Sequence, residues 1–589
     1  MRFSRLLPFF LIICMIPVLW SCKSPRQGPP NVILILTDDQ GYGDLSIHGN
    51  DSVETPILDQ FAREGARLER FYVSPLCAPS RASILTGRIH LRTGTYWVTK
   101  GTETMRSEEV TLAEVFKAND YATGCFGKWH NGAHYPYNPT GQGFDEFTGF
   151  CGGHWSNYFD PQLQSQDSMI STKGFITDVL TDFAISFIHR NQDKPFFCYV
   201  PYNAPHAPFQ VPDKYFDKYK ARGISDKNAA IYGMCENIDD NVGRLLNTLD
   251  ELGLDENTIV IYMTDNGPNG DRYNGGMRGR KAQVHEGGVR VPCFIRWPEV
   301  IPAGTIIEEL TAHIDILPTL VDLCGIKAPR MPPSDGVSLD KILRGKKEKL
   351  REREIFTHVS LSTEIKPVPG AIRSSQYRFV LEKENEPQLY DMTADPAETN
   401  NLAAAEPAVT QKFQETFLTT FGEAITYMAP VPPAPLGYEA AKTVTLPAHE
   451  ANITGDLAFK FAPQGWAHDW LINWKSSKNE ASWDIEVIRP GNYRVSVLYT
   501  CKAEGVGTQL EVQVGGQKVS GKIAEAFTPE ISENRDRVPH RVEALDQSWA
   551  EISLGTVALE PWSGKLILRS PAIVGEGVGE IKGVVVRYE

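Results

Sequence analysis

Four short apolar runs in the first half of the chain each stop at a polar cluster, and this repetition constrains the fold more than any other feature. Run 32–36 is followed by Asp38 and Asp39, run 121–126 by Lys128 and His130, run 196–200 by Asn203 and His206, and run 259–263 by Asp265 and Asn266. From Asn31 to about Gly325 such runs alternate with helical patterns. That alternation predicts an α/β domain built on a large mixed, mostly parallel sheet flanked by helices. Ligands of open α/β sheets bind beyond the carboxyl ends of the strands. One Asp after a strand is ordinarily a helix cap or turn former. Four clusters in register are a site: as parallel neighbours, the runs would bring two carboxylate-bearing pairs, two His and a Lys to one sheet edge.

This catalytic-type domain is assigned to residues 31–350. From about Glu354 the pattern changes, and residues 351–428 read as a smaller subdomain with an antiparallel sheet (377–381 and 388–392) and a closing helix after Asn400-Asn401-Leu402. Residues 429–437 are proline-rich and read as a stiff linker. Residues 438–589 look all-β, with runs at 483–487, 493–498, 510–514, 565–568 and 584–588 between Gly and Pro turns, and predict a C-terminal β-sandwich domain. Its Trp466, Trp470, Trp474, Trp483 and Trp562 read either as sandwich core or as platforms for sugar rings, which makes this a candidate carbohydrate-binding domain.

Residues 1–21 read as an export signal. Arg2 and Arg5 precede an apolar run over 6–20, shorter than the roughly 20 residues of a bilayer span. Leu19-Trp20-Ser21-Cys22 resembles a lipobox, with a plain cleaved signal or a short anchor as the alternatives. Lipidation of Cys22 would hold the chain at a membrane surface. The expected location is the periplasm or outer membrane of a Gram-negative bacterium, with the export and lipidation machinery as partners. The net charge is −14, from 59 basic and 73 acidic residues, and −16 once Arg2 and Arg5 leave with the signal. With no long basic run, that balance excludes backbone-driven nucleic-acid binding. Of the ten cysteines, Cys14 and Cys22 lie in the export segment. Setting Cys77 aside as well, the remainder are odd in number and irregularly spaced, neither a disulfide framework nor a zinc site.

Cys77 opens the stretch Cys77-Ala78-Pro79-Ser80-Arg81, followed by Thr86-Gly87-Arg88. Read on its residues alone, this is a Cys at a helix start with Arg81 one turn on, where helix dipole and guanidinium both favour an anion. A reactive thiol and an inert buried Cys are both open on that basis. The stretch resembles the sulfatase signature, whose Cys is oxidised to formylglycine. Three further segments agree. The stretch from Tyr121 to His130 resembles the second sulfatase signature, with Asp120 where Gly is usual and Phe126 where a smaller residue is usual. Asn203-Ala-Pro-His206-Ala-Pro resembles the family's His loop. Lys281, with Glu286-Gly-Gly-Val-Arg290-Val-Pro, resembles its Lys loop, with Arg280 and Ala282 in place of flanking glycines. The likeness covers about Asn31 to Thr420 and implies the alkaline-phosphatase-like fold.

The resemblance implies a sulfuric ester hydrolase, a formylglycine-generating maturation enzyme as partner, and a cation. Asp38, Asp39, Asp265 and Asn266 are hard oxygen donors, suited to Ca²⁺ or Mg²⁺; the family favours Ca²⁺, with residue 77 as a further ligand. The cation, Arg81, Lys128 and Lys281 would hold the sulfate. The expected mechanism is covalent: an aldehyde hydrate at position 77 attacks sulfur with Asp265 as base, and His206 is general acid on the departing alcohol, with Lys281 beside it. The second hydroxyl then expels sulfate with His130 as base. The loop holding His154, Trp155, Asn157 and Tyr158, together with Arg272, is the candidate substrate-binding surface. A galactose or N-acetylhexosamine sulfate, cleaved exo from short oligosaccharides, is the expected substrate, because a strongly acidic chain repels long polyanions. The alternatives are a phosphate or phosphonate hydrolase of the same superfamily and a non-catalytic glycan-binding lipoprotein.

Overall fold

The computed structural model describes residues 28–346, 349–539 and 541–589. The export segment and Cys22 lie outside the described residues. No helix among those described is long and apolar enough to cross a membrane.

A ten-stranded sheet organises the first domain. Its strands are β1 (Asn31–Thr37), β2 (Ala66–Tyr72), β3 (Ala122–Lys128), β4 (Glu146–Phe150), β5 (Gln162–Ser165), β6 (Ser168–Ser171), β7 (Phe196–Pro201), β8 (Thr258–Thr264), β9 (Cys293–Arg296) and β10 (Thr305–Ala312), in the order β10-β2-β9-β8-β1-β7-β3-β4-β5-β6. The four runs singled out in the sequence are the four adjacent strands β8-β1-β7-β3, all parallel, with Leu34 opposite both Tyr199 and Ile261. Their carboxyl ends therefore share one edge.

These strands are continuously apolar because both faces are covered. Ile33, Ile35, Val200 and Tyr262 pack under helices α1 (Pro56–Glu64), α3 (Ile176–Asn191) and α4 (Asp226–Leu252). Val32, Leu34, Tyr199 and Ile261 face the other way, against α2 (Cys77–Thr86) and the helix Ile316–Cys324. Helix α4 begins where the Ser225 side chain accepts from the Asn228 N–H and ends at Gly253 in a left-handed conformation.

A four-stranded antiparallel sheet follows, β11 (Ile355–His358), β12 (Gly370–Arg373), β13 (Tyr377–Leu381) and β14 (Pro387–Asp391). Helix α5 (Pro407–Ile425) closes it by setting Phe413 and Phe417 on Ile372, Phe379 and Leu389.

Two six-stranded sheets form the C-terminal sandwich. The proline-rich segment is not wholly a linker: Ala434–Leu436 is a strand, paired parallel with Glu480–Val487, so the sandwich begins inside 429–437. Trp470, Trp474 and Trp483 are buried in its core among Val495, Val512, Leu566 and Val584. Only Trp562 stands well exposed, at 38%. All eight described cysteines are buried and unpaired.

Candidate active site

The carboxyl ends of β1 and β8 turn out of the sheet together. The Asp38 N–H donates to Ala204 O at 3.2 Å and the Asp265 N–H to Thr37 O at 3.1 Å, which ties three strand ends into one floor. Asp39 (φ 65°) and His130 (φ 63°) both sit in left-handed backbone, sparsely populated for residues other than Gly and concentrated at functional sites. Opposite this floor, Cys77 is the first residue of α2, buried at 2% exposure.

Each acid on the floor has a basic partner. Lys128 Nζ lies 2.5 Å from Asp38 Oδ2, Lys281 Nζ 2.6 Å from Asp39 Oδ1, and the Arg81 guanidinium donates to Asp265 Oδ2 at 3.0 and 2.8 Å. Burial pushes the Asp38 and Asp39 carboxyls up, but Lys128 for the first and Lys281 for the second, each joined by His206, more than reverse it, and both end below the usual range. Asp265 goes the other way, pushed up to about 7 by burial and the nearby Asp38 in spite of Arg81 and Lys128. Arg81 differs from its expected role. Its remaining nitrogen donates to Lys128 O at 2.7 Å and its side chain is fully buried, so it orients Asp265 and the end of β3 rather than holding the anion directly.

Three oxygens on this floor are buried with no hydrogen-bond partner: Asp38 Oδ1, Asp39 Oδ2 and Asn266 Oδ1. Orphaned oxygens cost free energy unless something meets them. Asp38, Asp265 and the residue 77 side chain each offer an atom within 4.8 Å of the others, as do Asp38, Asp39 and His206. An all-oxygen orphan set fits a hard divalent cation. With Asp265 ionised, three carboxylates against three cationic side chains leave the floor neutral, so a divalent ion would make it an anion trap.

Unmodified Cys77 is no thiolate: burial pushes its thiol up, although Lys128 and Lys281 pull it down. His130 is held well below the ordinary imidazole value by burial and then by Lys128. Its Nε2 lies 3.0 Å from Val98 O, a pure acceptor, so Nε2 carries the proton and the partnerless Nδ1 holds a lone pair. His206 is the mirror case, with Nδ1 2.6 Å from Ala207 O and Nε2 3.7 Å from Asp39 Oδ2.

The expected substrate contacts divide. His154 is buried with its ring parallel to that of His206, centroids 6.5 Å apart, and Trp155 stacks on Phe150 while remaining partly open. Tyr158 is not a substrate contact: it is fully buried and its OH donates to His206 O (2.9 Å) and Ala207 O (3.1 Å), setting the His206 loop. Arg272 is not one either. Its side chain is 1% exposed, clasps Asp44 and donates to Asp39 O at 2.9 Å, bracing the floor from behind. Asn157 caps a turn, accepting from the Phe159 N–H at 3.2 Å.

Two residues that sequence reasoning did not bring here come from the C-terminal domain. His468 Nε2 donates to His154 O at 3.0 Å, and the Trp466 ring lies 5.9 Å from that of Trp97. More than 300 residues separate His154 from His468, so no local pattern could have paired them.

Asp120 (φ 63°) and Ala282 (φ 67°), which stand where the family pattern has Gly, both hold the left-handed backbone that Gly takes at no steric cost. The path around Lys281 is kept by the Ala282 N–H donating to Pro75 O at 2.8 Å.

A family model described as Sulfatase matches residues 30–326, and one for the C-terminal region of N-sulphoglucosamine sulphohydrolase matches 280–420. Arylsulfatase A of Homo sapiens is 33% identical over 451 residues, 66% of this chain and 87% of that protein. N-acetylgalactosamine-6-sulfatase of Canis lupus familiaris is 33% identical over 365 residues, 56% of this chain and 68% of that protein. Among solved structures, Ps i-CgsB in complex with k-i-k-neocarrahexaose aligns with a TM-score of 0.62 and 27% identity over 67% of this chain and 93% of that one. Neither family match reaches the C-terminal sandwich.

Proposed function

Since the chain belongs to the sulfatase family and is a sulfuric ester hydrolase, we propose that it removes sulfate from O-sulfated carbohydrates of galactose or N-acetylhexosamine type, using formylglycine at position 77 and Ca²⁺, with Mg²⁺ as the alternative ion. The observation that carries this reading is the clustering of Cys77 with the Asp38 and Asp265 carboxylates on a floor where Asp38 Oδ1, Asp39 Oδ2 and Asn266 Oδ1 have no hydrogen-bond partner. The likeness to an N-acetylgalactosamine-6-sulfatase and to a structure binding a carrahexaose supports the carbohydrate.

Asp38, Asp39, Asp265, Asn266 and residue 77 would hold the cation, whose chemistry is to polarise the sulfuryl oxygens and acidify a neighbouring hydroxyl. The other duties belong to this chain's own side chains. Lys128 and Lys281, fixed by Asp38 and Asp39, offset charge on the sulfuryl oxygens. Asp265, oriented by Arg81, takes the proton from the attacking hydroxyl of matured residue 77. His206 would have to carry a second proton, on the Nε2 that faces Asp39 Oδ2, and give it to the departing alcohol. His130 accepts at Nδ1 the proton lost when sulfate is expelled. Burial of Asp38, Asp39, Asp265 and Lys128 lowers the local dielectric and strengthens these interactions.

We further propose exo-action on short oligosaccharides by an exported protein anchored through Cys22, matured by a formylglycine-generating enzyme. Peptide mass spectrometry of protein from its native host should find residue 77 as the aldehyde, lighter than Cys by the exchange of CH₂SH for CHO. A Cys77→Ser variant should keep the wild-type melting temperature and lose multiple turnover, since a serine ester of sulfate has no second hydroxyl to expel it. An intact thiol in active protein, or steady-state turnover in the serine variant, defeats this reading.

A further inference from the structure

The C-terminal sandwich does not hang from a linker; it packs against the loops that surround the catalytic floor. Asp536 and Arg537 grip the segment after His206, where Gln210 Nε2 donates to Asp536 Oδ1 (2.8 Å) and the Arg537 N–H to Phe209 O (2.9 Å). Arg541 donates to Ser156 O at 2.6 Å, beside Trp155.

The loop Gly465 to His468 comes deepest. Thr99 Oγ1 donates to Gly465 O at 3.0 Å. Trp466, whose ring lies 5.9 Å from that of Trp97, is partly buried against the apolar cluster that holds Leu76 and at whose edge Val98 and Ala282 also lie. Each of these adjoins a reacting group: Leu76 precedes Cys77, the Val98 carbonyl holds His130, and Ala282 follows Lys281. On the far side, the His468 ring meets Trp155 edge-on at 4.6 Å and His154 at 5.6 Å, and the His154 ring lies parallel to that of His206. Gly152 permits this approach, since a Cβ there would come within 3.3 Å of Ala467 Cβ and 3.4 Å of His468 Nε2.

The loop is preformed. Asp469 accepts from the N–H groups of Lys460, Phe461, Ala462 and Trp470, and Lys582 donates to His468 O. His468 is itself held at φ 67°. Such preordering lowers the cost of binding a ring against it. The surface it offers is one indole and an imidazole that burial keeps neutral, next to the equally neutral His154 and the partly open Trp155. Flat apolar faces with uncharged polar edges suit a pyranose ring and its hydroxyls, not a second anion.

We infer that Trp466 and His468 of the C-terminal domain form a wall of the leaving-group subsite, contacting the sugar ring that carries the sulfate, so that this domain sets specificity from inside the active site. The inference rests on the sulfatase reading above, and goes beyond it because no family match covers these residues.

The test uses full-length matured enzyme, wild type and the variants Trp466→Ala, His468→Gln and Trp562→Ala. Two readouts are taken: kcat and KM on the sulfated sugar that wild type turns over best, and the inhibition constant of inorganic sulfate, which occupies only the sulfate side of the pocket. The Trp466 and His468 variants should lose roughly tenfold or more in kcat/KM on the sugar, with sulfate inhibition unchanged. Trp562→Ala, altering an exposed Trp outside the loop, should match wild type. Unchanged kcat/KM in both loop variants overturns the inference, and so does a parallel loss of sulfate inhibition, which would make the loop a structural brace. Absence of sulfate release by wild type from every sulfated sugar defeats the underlying reading instead.

Discussion

Two clusters of buried charge lie in the same part of the molecule, and they are built differently. In the first, Asp38, Asp39 and Asp265 face Arg81, Lys128 and Lys281, yet three floor oxygens have no partner. In the second, Glu286 accepts from Arg378 at 3.1 and 2.7 Å and from the Tyr72 OH at 2.8 Å, while Glu398 accepts from the Glu286 N–H and pairs with His285. Every polar side-chain atom of Glu286, Arg378 and Glu398 is used. Both clusters are buried, and both balance charge with charge. His285 Nε2 of the second cluster also lacks a hydrogen bond, but only the first cluster leaves oxygens of its acidic and amide side chains without one, and it is such unmet hard oxygens that mark a cation site off from a brace.

The sharpest way to break this comparison is to cut the brace. Glu286→Gln leaves Arg373 without its carboxylate and Arg378 with only the more distant Glu398 at 3.9 Å, and removal of one partner from a buried pair costs about 3–5 kcal/mol. Urea unfolding should show that loss while the protein still folded at low urea turns over sulfate ester much as wild type does. The acid limb gives an independent check. Burial raises Glu286, but Arg378, Arg373 and Arg290 bring it down to about 2 from 4.5. Its folded value being depressed, its contribution is complete above pH 4.5 and fades as pH falls toward about 2. The Gln variant should lack that portion of the acid-induced loss.

Lys281→Ala tests the other cluster. Removal of one preorganised charge facing the transition state typically costs ~10²–10³ in turnover, and the effect should fall on kcat. Stability should change less than in Glu286→Gln, since Lys281 is the most exposed member, at 16%, and a bound cation would still neutralise Asp39. Equal stability losses in the two variants would erase the distinction. Chelation should then separate the clusters by ion dependence. A site-bound cation at about 100 times its Kd adds roughly 2.7 kcal/mol to stability. Stripping it with EGTA should lower the melting temperature of wild type and of Glu286→Gln alike, and much less that of Asp38→Asn, whose ion site is already weakened.

The first cluster was legible in the sequence because a parallel sheet turns residue spacing into geometry. Each apolar run fixes a strand, each strand end fixes where the next few residues point, and Asp38, Lys128, His206 and Asp265 follow from that alone. The brace was not legible: Glu286 was visible only as part of a motif, and its partners Arg378 and Glu398 arrive from the antiparallel subdomain at 92 and 112 residues' distance. Tyr158 and Arg272 were misread for a related reason. A sequence shows that a polar side chain is near a site, not which of its faces the backbone carbonyls claim first. His468 lay further still from any local signal, since domain docking sets its place.

The smallest expected effect concerns the backbone that carries Lys281. Ala282 holds φ 67° with a Cβ in place, and left-handed backbone costs an L-residue roughly 1–2 kcal/mol. Ala282→Gly removes that strain and admits more freedom to the unfolded chain, which returns roughly 0.5–1 kcal/mol. The balance predicts a stabilisation of at most about 1.5 kcal/mol. Asp120→Gly, at φ 63°, should gain less, because Asp tolerates the left-handed region better than Ala. Turnover separates the two further. Asp120 precedes β3 at its far end, so its variant should leave kcat alone. Ala282 adjoins the lysine itself, so any loosening of the loop there should appear as lower kcat alongside higher stability. A gain in stability with no loss of kcat would mean that the hydrogen bond from Ala282 to Pro75 is enough to hold Lys281 against Asp39, and that the methyl group contributes nothing to the site.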